Sequence, residues 1–395
     1  MTRLIMLEPE APGEVWQPFA GARPIAELRA GAWRIRDRWS AMLGVDDVTI
    51  MGDHCADFVD VGAAPVVPKG PVQGPAVIAR SDFAPAGSRP DLDPALWGAQ
   101  ARSTQLVHEG VTIGWIVREG ETWTAPYHEG EAQAIEGMFL RGAYDVITAL
   151  EHLLPADCND CLTHIGDPVP DGCIVIGDAT EVVCLGAEVE PGVVFDVRNG
   201  PVVLDEGVQA RAGARLEGPL FAAPGSILLG GTIRHSVIGP ACRVHGEVAA
   251  TVFLGYANKS HDGFIGHSVV GQWVNLGAGT ITSNLKNTYG EVRLDLPGGR
   301  VPTGRMNLGT LFGDHVKTAI GTLLSTGSVV GAGANLVSEG VPRWVEPFAW
   351  GGPGEERLDV EGFIRIVKRV LPRRSVEVTP AMEQSLRAIH ARLAG

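Results

Sequence analysis

One histidine stands out as a candidate for proton-transfer chemistry. His261 lies in a glycine-rich loop, and the aliphatic-glycine pairs Val270-Gly271 and Leu276-Gly277 follow it with a spacing of six residues. This spacing is typical of a β-solenoid built from hexapeptide repeats. An exposed imidazole on such a coil can serve as a general base if the next coil leaves room for a ligand.

The geometry of a solenoid predicts what lies beside His261. About three six-residue sides close one coil, so residues about eighteen apart stack at roughly the 4.8 Å spacing of strands. Ala278 and Gly279 then fall nearly one coil above His261, and their small size leaves room for a ligand. The alternative is a structural histidine, which is the role that we expect for His235, His245, His267 and His315.

The six-residue period extends well beyond this loop and predicts the fold class. It relates Val183, Val189 and Phe195, and it returns much later at Gly321 and Gly327. Because the period fits neither the 3.6 of a helix nor the alternation of a strand, we predict a parallel β-helix.

The rest of the chain divides around this solenoid. A strand at Leu4–Leu7, a helix at Pro24–Leu43 and a strand at Val48–Met51 give the opening a βαβ character. A last helix should begin with Thr379 as N-cap and Pro380 at its first position. Its apolar stripe suits packing as a cap or against a neighbouring subunit, and the members of the stripe are Met382, Leu386, Ile389 and Leu393. The predicted domains are an α/β domain over 1–150, a linker over 151–171, the solenoid over 172–341 and a helical extension over 342–395.

One long interruption leaves the repeats just after the candidate catalytic coil. Between Asn284 and Leu308 the hexads stop, and Pro297-Gly298-Gly299 predicts the turn of a β-hairpin. Long excursions from a regular array commonly carry function. We therefore expect this hairpin to shape the site.

Composition excludes several classes of function. The net charge is −14 without a block of Lys or Arg, which argues against a nucleic-acid partner. No run approaches eighteen apolar residues and no signal peptide opens the chain, so we expect a soluble, cytoplasmic protein without a membrane partner. Six cysteines fit a reducing compartment. We predict no metal among them, although four residues could supply zinc ligands: Cys158, Cys161, His164 and Cys173.

A motif in the candidate coil resembles a known family. It reads Asn275-Leu276-Gly277-Ala278-Gly279-Thr280-Ile281-Thr282-Ser283-Asn284. It is similar to the acetyltransferase half of the bifunctional enzymes that acetylate glucosamine-1-phosphate and then make UDP-N-acetylglucosamine, in particular archaeal sugar-1-phosphate nucleotidyltransferases and a divergent bacterial branch. The likeness runs from about Val194 to Val337. It implies a left-handed β-helix and a homotrimer with coenzyme A between neighbouring subunits.

The resemblance also assigns roles by position. His261 matches the base that takes a proton from the sugar's amine as the amine attacks acetyl-CoA. Asn275 and Asn284 match residues that bind the acceptor, an amino sugar phosphate or nucleotide sugar. The resemblance further implies that acetyl-CoA lies against Ala278, Gly279 and Thr318.

The chain departs from the family pattern at three positions. Phe264 replaces a tyrosine, whereas Ala249 and Gly290 replace lysines that hold a sugar phosphate. The candidates to supply the missing positive charge are Lys259, Lys286, Arg243 and Arg293.

The front domain resembles the nucleotidyltransferase half only faintly. Where that half has a glycine-rich phosphate loop, this chain has three glutamates and two prolines between Glu8 and Glu14. Arg23 could contact phosphate, and Asp53 could bind Mg²⁺ if the domain is active. Three functions therefore stay open: an N-acetyltransferase, a nucleotidyltransferase alone or combined with it, and a non-catalytic trimeric scaffold.

Overall fold

The structure is a computed structural model that describes residues 2–87, 104–128, 130–164, 166–337, 340–351 and 356–394. An α/β domain opens the chain, a parallel β-helix follows, and two helices close it. The opening domain contains β1 Arg3–Leu7, β2 Arg29–Ala30, β3 Trp33–Arg34, α1 Ile35–Leu43, β4 Val48–Met51, β5 Val66–Val67, β6 Val72–Gln73, β7 Ala76–Arg80, β8 Phe83–Pro85, β9 Gln105–His108, β10 Val111–Val117, β11 Thr122–Trp123, β12 Ala132–Ala134, β13 Gly137–Phe139 and α2 Asp145–Cys161.

A seven-stranded sheet forms the centre of the front domain. Its strand order is β12-β9-β10-β7-β1-β4-β5, and the four strands β7, β1, β4 and β5 run parallel. The predicted βαβ opening is confirmed, because β1 pairs in parallel with β4. The helix predicted from Pro24 is wrong in its first half. A short 3-10 helix, Ile25–Glu27, and a small hairpin around Gly31 precede α1, since Gly31 has φ +63° and would crowd Asp157 if it carried a side chain.

The helix α2 replaces most of the predicted linker. It continues through the boundary expected at residue 150, and its buried side chains Leu150, Leu153 and Leu154 belong to a core that the front domain shares with the β-helix. Its far end reaches the β-helix, where Cys158 and Cys161 are buried. The two domains are therefore joined by a packed helix.

The β-helix confirms the fold predicted from the six-residue period. Its strands are β14 Ile174–Ile176, β15 Val182–Cys184, β16 Glu188–Val189, β17 Val194–Asp196, β18 Val202–Leu204, β19 Gln209–Ala210, β20 Ala214–Ala222, β21 Ile227–Ile238, β22 Arg243–His245, β23 Glu247–Ala249, β24 Val252–Phe253, β25 Asn258–Lys259, β26 Phe264–Gly266, β27 Val269–Val270, β28 Ile281–Thr282, β29 Arg293–Leu296, β30 Gly299–Pro302, β31 Leu311–Phe312, β32 Lys317–Thr318, β33 Leu323–Leu324, β34 Val329–Val330, β35 Asn335–Leu336, β36 Trp344–Val345 and β37 Trp350–Gly351.

Apart from β29 and β30, which form the excursion, these strands stack from coil to coil in parallel ladders. In one ladder Val189, Ala210, Leu228 and Val244 lie above one another in the interior. The stacked aliphatic side chains exclude water along the axis, which is the main stabilising contribution in such an array. The strands β36 and β37 continue two ladders beyond residue 341. The winding is consistent with a left-handed β-helix.

The excursion from the repeats folds as predicted and packs against the front domain. Its strands β29 and β30 form an antiparallel hairpin in which Leu296 pairs with Gly299. Leu294 and Leu296 are buried in the same core as α1 and α2. At the tip, Gly298 N donates a 2.7 Å hydrogen bond to Glu14 Oε2. The hairpin thus connects the two domains.

The C-terminal helices, α3 Val360–Val370 and α4 Pro380–Ala394, also lie between the domains. The predicted N-cap is confirmed, because Met382 N donates to Thr379 Oγ1 at 3.2 Å. Of the two roles expected for the apolar stripe of α4, the structure shows the cap: the stripe packs inside the chain against Phe58, Phe348 and Phe363 and does not face a neighbouring subunit. Its members are Met382, Leu386, Ile389 and Leu393. None of the described helices has the length and apolar character needed to cross a bilayer.

Candidate functional site

His261 lies at a corner of the β-helix, between β25 and β26, and is exposed. The next coil packs directly on this turn, because Gly279 N donates a 2.9 Å hydrogen bond to Asp262 O. Gly263 permits this approach, since a Cβ atom there would stand 2.3 Å from Thr280 O. The small residues expected one coil beyond His261 are therefore in place.

Lys259 lies inside the β-helix, under the His261 turn. It stacks on Val244 in an interior ladder and is 2% exposed. Its Nζ donates to the main-chain carbonyls of His245 and His261, each at 2.7 Å. Burial lowers its pKa from the ordinary 10.5 to about 8. Lys259 thus braces the turn from within, and its ammonium group does not face the outer surface where an acceptor would bind.

Arg243 and Asn275 lie on one side of the corner, in an outward-facing column with Asn258 between them. Asn258 Nδ2 donates to Asn275 Oδ1 at 2.9 Å, and Ser260 Oγ donates to Asn258 Oδ1 at 2.7 Å. Asn275 is exposed and Arg243 is half-buried. This polar column runs along the β-helix beside the His261 turn.

Asn284 lies beside the end of β26, the strand that follows the His261 corner. Its Nδ2 donates a 2.8 Å hydrogen bond to Nδ1 of His267, so the neutral imidazole of His267 carries its hydrogen on Nε2. Burial lowers the pKa of His267 to about 4, which keeps this acceptor nitrogen free of a proton at neutral pH. The strand β26 lies between His261 and Asn284, because Asn284 stands beside Gly266 at the end of that strand.

Phe264 occupies the surface between His261 and Asn284. A Cβ atom on Gly266 would stand 2.4 Å from the tip of the Phe264 ring and 2.8 Å from Asn284 Nδ2. The ring therefore lies over Gly266 and against the amide of Asn284. Where the related family has a tyrosine, this chain presents an apolar floor between its two candidate polar contacts.

Thr318 is placed under the predicted cofactor-binding turn rather than on the surface. Its Oγ1 accepts a 2.9 Å hydrogen bond from Gly277 N and lies 2.7 Å from Thr280 Oγ1. Thr318 is buried, whereas Ala278 and Gly279 are half-buried. Of the three predicted acetyl-CoA contacts, two reach the surface and Thr318 supports them from below.

Lys286 lines a charged pocket together with other residues of the excursion. The pocket has a volume of about 330 Å³, and its cations outnumber its carboxylates four to two; the charged residues are Lys286, Glu291, Arg293, Asp295, Arg300 and Arg343. A Cβ atom on Gly290 would stand 3.5 Å from Lys286 Nζ. The ammonium group of Lys286 therefore lies beside the position at which the related family has a lysine.

A second cavity, of about 380 Å³, opens in the front domain at the carboxyl ends of the parallel strands β1, β4 and β7. Glu8, Arg80, Asp82 and Trp115 are among its lining residues. Glu8 is buried, and its two carboxylate oxygens accept hydrogen bonds from Ile25 N and Ala26 N, each at 3.0 Å. Two main-chain donors at the start of a 3-10 helix thus bind a carboxylate of the chain itself, so they cannot bind a phosphate.

Arg23 does not face this cavity, which corrects the expectation of a phosphate contact. It is 2% exposed, its Nε donates a 2.8 Å hydrogen bond to Asp314 Oδ2, and its Nη2 binds Asp60. Burial opposes the charged guanidinium, but these two carboxylates outweigh burial and raise the pKa of Arg23. Asp53 is exposed and accepts a 2.8 Å hydrogen bond from Lys69 N, as an aspartate closing a strand commonly does.

The four residues considered for zinc do not come together. Cys158 and Cys161 are buried on α2, whereas Cys173 lies on the first coil and its Sγ donates to Glu190 O at 3.5 Å. His164 Nδ1 is 3.2 Å from the carbonyl oxygen of Cys161. Among the described residues, these side chains form no group of three potential ligands.

Comparison with known proteins supports the resemblance over a limited part of the chain. A bifunctional sugar-1-phosphate nucleotidylyltransferase/acetyltransferase of Sulfurisphaera tokodaii is 36% identical over 90 residues, 23% of this chain and 22% of the relative. A bifunctional protein GlmU of Methanocaldococcus jannaschii is 34% identical over 86 residues, and one of Methanococcus vannielii is 33% identical over 95. The chain thus matches less than a quarter of the length of each relative. No model of a known protein family matches it.

These findings confirm the resemblance stated from the sequence and the fold that it implied. The Sulfurisphaera tokodaii relative is a transferase by name. The sequence analysis missed the roles of two residues. His267 accepts a hydrogen bond from Asn284, and Glu8 accepts hydrogen bonds from main-chain amides of the 3-10 helix. Their positions after a strand gave a weak signal, but nothing in the sequence identified their partners.

We predict a pH-dependent contribution of Lys259 to stability. The folded pKa of about 8 lies below the ordinary 10.5, so the unfolded chain binds more protons between these values and the folded state gains stability as pH rises through them. The free energy of unfolding of the wild type should therefore rise relative to that of Lys259→Met from pH 8 to pH 10. Urea unfolding of both proteins at several pH values measures the difference.

Lys368→Met serves as the control, because Lys368 is exposed on α3. Its difference from the wild type should show no comparable rise. A Lys259→Met difference that is constant with pH would contradict the burial argument.

Proposed function

We propose that the protein is an acetyl-CoA-dependent N-acetyltransferase whose acceptor is an amino sugar phosphate or a nucleotide sugar. The observation that carries the proposal is the exposed imidazole of His261 beside the half-buried turn Ala278-Gly279 of the next coil. The imidazole can accept a proton from the attacking amine, and a main-chain N–H of the Ala278-Gly279 turn can stabilise the developing oxyanion. The names of the relatives agree with this chemistry.

In this mechanism the acceptor amine attacks the thioester carbonyl of acetyl-CoA. His261 takes the proton of the amine, the carbon–sulfur bond breaks, and the protonated imidazole gives its proton to the sulfur, so that coenzyme A leaves as a thiol. Lys259 holds the carbonyl of His261 from inside the coil and so positions the turn. Positioning of this kind matters because a displacement of about 1 Å can cost about a hundredfold in rate.

The charged pocket around Lys286 supports an acceptor that carries phosphate. Lys286 stands beside Gly290, and Arg293, Arg300 and Arg343 add positive charge against two carboxylates. Arg300 Nε is already bonded to Asp295 at 2.8 Å, whereas Arg343 Nη1 is 3.6 Å from the same carboxylate. A phosphate would compete for these guanidinium groups and gain charge-assisted hydrogen bonds.

Exposed apolar side chains on the coils next to the site support association of subunits. Ile281 pairs with Leu323 in a ladder, and both face outward. The exposed fractions are 41% for Ile281, 80% for Ile320, 66% for Leu323 and 58% for Val337. We propose that this surface, which we call the coil face, forms the contact of a homotrimer. Coenzyme A would then lie between subunits, as the resemblance implies.

His261→Ala should lower the rate of acetyl transfer by roughly two to four orders of magnitude, the usual contribution of a positioned base. Release of coenzyme A thiol is followed with acetyl-CoA and a panel of amino sugars and their phosphates. His152→Ala, which removes another exposed histidine on α2, should keep full activity. Activity of His261→Ala within threefold of the wild type on the true acceptor would rule out His261 as the base.

Lys286→Ala should raise KM for a phosphorylated amino sugar by roughly 10- to 100-fold, the value of a hydrogen bond to a charged group. KM for the same sugar without phosphate should change little, and Lys368→Ala should change neither. Steady-state kinetics with the matched pair of acceptors measures the effect. Equal losses with both acceptors would place the phosphate elsewhere.

Leu323→Glu should convert the trimer to a monomer, because it places a charge in the coil face. Light scattering at micromolar protein measures the mass. As a control, Leu386→Ala should lower stability by about 2–5 kcal/mol through loss of internal packing and leave the mass unchanged. A monomeric wild type would overturn the proposed assembly.

A nucleotidyltransferase remains the second candidate because the front cavity lies at the carboxyl ends of parallel strands, where open α/β sheets bind ligands. Mg²⁺ would be required only for that activity. Against it, Glu8 binds the amides of Ile25 and Ala26, and prolines in the 8–14 loop lack an N–H. A scaffold without chemistry is the third reading, and it requires that no acetyl-CoA binds.

We expect little or no pyrophosphate release from UTP and N-acetylglucosamine-1-phosphate with Mg²⁺. Glu8 already occupies two main-chain donors beside the cavity, and the exposed carboxylate of Glu10 repels the triphosphate there. A coupled pyrophosphate assay, with a known uridyltransferase as positive control, measures the rate. Turnover at about 1 to 1000 per second would reverse the assignment.

A further inference from the structure

Three potential metal ligands meet behind the front cavity. Glu8 follows β1, whereas His54 and Cys55 belong to the 3-10 helix Asp53–Cys55 that follows β4. One ligand atom of each lies within 4.8 Å of the others. Because β1 and β4 are adjacent and parallel, their carboxyl ends bring these side chains to the same edge of the sheet.

The separation of the ligand atoms suits a small tetrahedral ion. His54 Nε2 lies 3.6 Å from Glu8 Oε2. Nitrogen and oxygen ligands at about 2.0–2.2 Å from zinc stand roughly 3.4 Å apart across a tetrahedral angle. Gly52 keeps the space open, because a Cβ atom there would stand 2.7 Å from Glu8 Cβ and 3.3 Å from Cys55 Sγ.

Burial without partners is the second, independent observation. Glu8 and Cys55 are 1% and 2% exposed. Both ring nitrogens of His54 are buried, and neither has a hydrogen-bond partner in the described parts of the chain. Within the same parts of the chain, the one contact of this kind for Cys55 runs from Sγ to Gly52 O at 3.7 Å. Buried polar groups in this condition are costly, and a bound ion is one of the ordinary ways in which they are satisfied.

We propose that Glu8, His54 and Cys55 bind one divalent transition-metal ion of the zinc class. A carboxylate, a thiolate and a neutral imidazole cancel the charge of the ion, so the buried site is neutral overall. Imidazole and thiolate favour zinc over Mg²⁺ or Ca²⁺, which prefer oxygen ligands. Binding forms the Cys55 thiolate and releases its proton to solvent.

The site would connect the ends of two central strands at the floor of the front cavity. Glu8 contributes to three features at once: it lines the cavity, holds Ile25 N and Ala26 N, and supplies an oxygen to the ion. Three protein ligands leave a fourth position for water or for a group of a bound molecule. This site is separate from His261, so its existence does not depend on acetyl transfer.

Titration of the metal-free, full-length protein with Co²⁺ tests the proposal. We expect one ion per chain, with a thiolate-to-cobalt charge-transfer band, displaced by stoichiometric Zn²⁺ and unaffected by millimolar Mg²⁺. Cys55→Ser should abolish the band. His54→Ala should weaken binding by more than the roughly 10- to 100-fold that loss of an outer partner costs. Because His54 has no hydrogen-bond partner among the described residues, its removal should preserve the fold, which circular dichroism checks.

Cys173→Ser is the matched control, because Cys173 is a free cysteine on the first coil of the β-helix. It should keep the stoichiometry, the band and the affinity of the wild type. The proposal is overturned if the wild type binds no Co²⁺, if the band survives Cys55→Ser, or if His54→Ala binds as tightly as the wild type.

Discussion

The buried ion pair between Arg23 and Asp314 connects the front domain to the β-helix. Asp60 binds the same guanidinium, and the other oxygen of Asp314 accepts a 2.7 Å hydrogen bond from Gln272 N on the preceding coil. Removal of one partner from such a pair typically costs about 3–5 kcal/mol, because the other charge stays buried. The position of the front domain relative to the coils therefore depends on this contact, and α4 packs beside it.

The same junction explains why the C-terminal helices are internal. Tyr256, Trp273 and His315 occupy one corner of successive coils with positive φ values, and the rings of Tyr256 and Trp273 stack at 4.4 Å. The helices α3 and α4 cover this corner and fill the space up to Phe58 of the front domain. A second corner contains His267 and Asn284 and lies near α2. There Arg305 of the excursion donates hydrogen bonds to Thr148 and Glu151 of α2. The coil face is exposed in the part of the chain that the structure describes, and Ile281 on it lies two residues from the Ala278-Gly279 turn, so the candidate site and the proposed surface for association lie together.

Two glutamates of the 8–14 loop make contacts that distinguish the front domain from the nucleotidyltransferase half that it faintly resembles. Glu8 fills main-chain donors that a phosphate would need, and Glu14 binds the tip of the excursion through Gly298 N. In both cases a carboxylate of the 8–14 loop forms an internal hydrogen bond. The loop thus contributes to the packing of the molecule, whereas the exposed imidazole of His261 and the turn beside it stay accessible.

The sequence by itself determined the repeated and local features. A six-residue period defines the coil, so it also placed Gly279 against the His261 turn; Pro297 and Gly298 defined the hairpin turn, and Thr379 the start of α4. Such features follow from backbone geometry and from neighbours at a fixed spacing. Contacts between domains follow no period, which is why Arg23 was assigned to a ligand and the stripe on α4 could not be assigned to a cap rather than to a neighbouring subunit. Only the tertiary structure decided their partners, because burial of a charge or an apolar face depends on which distant surface covers it, and Asp314 lies 291 residues from Arg23.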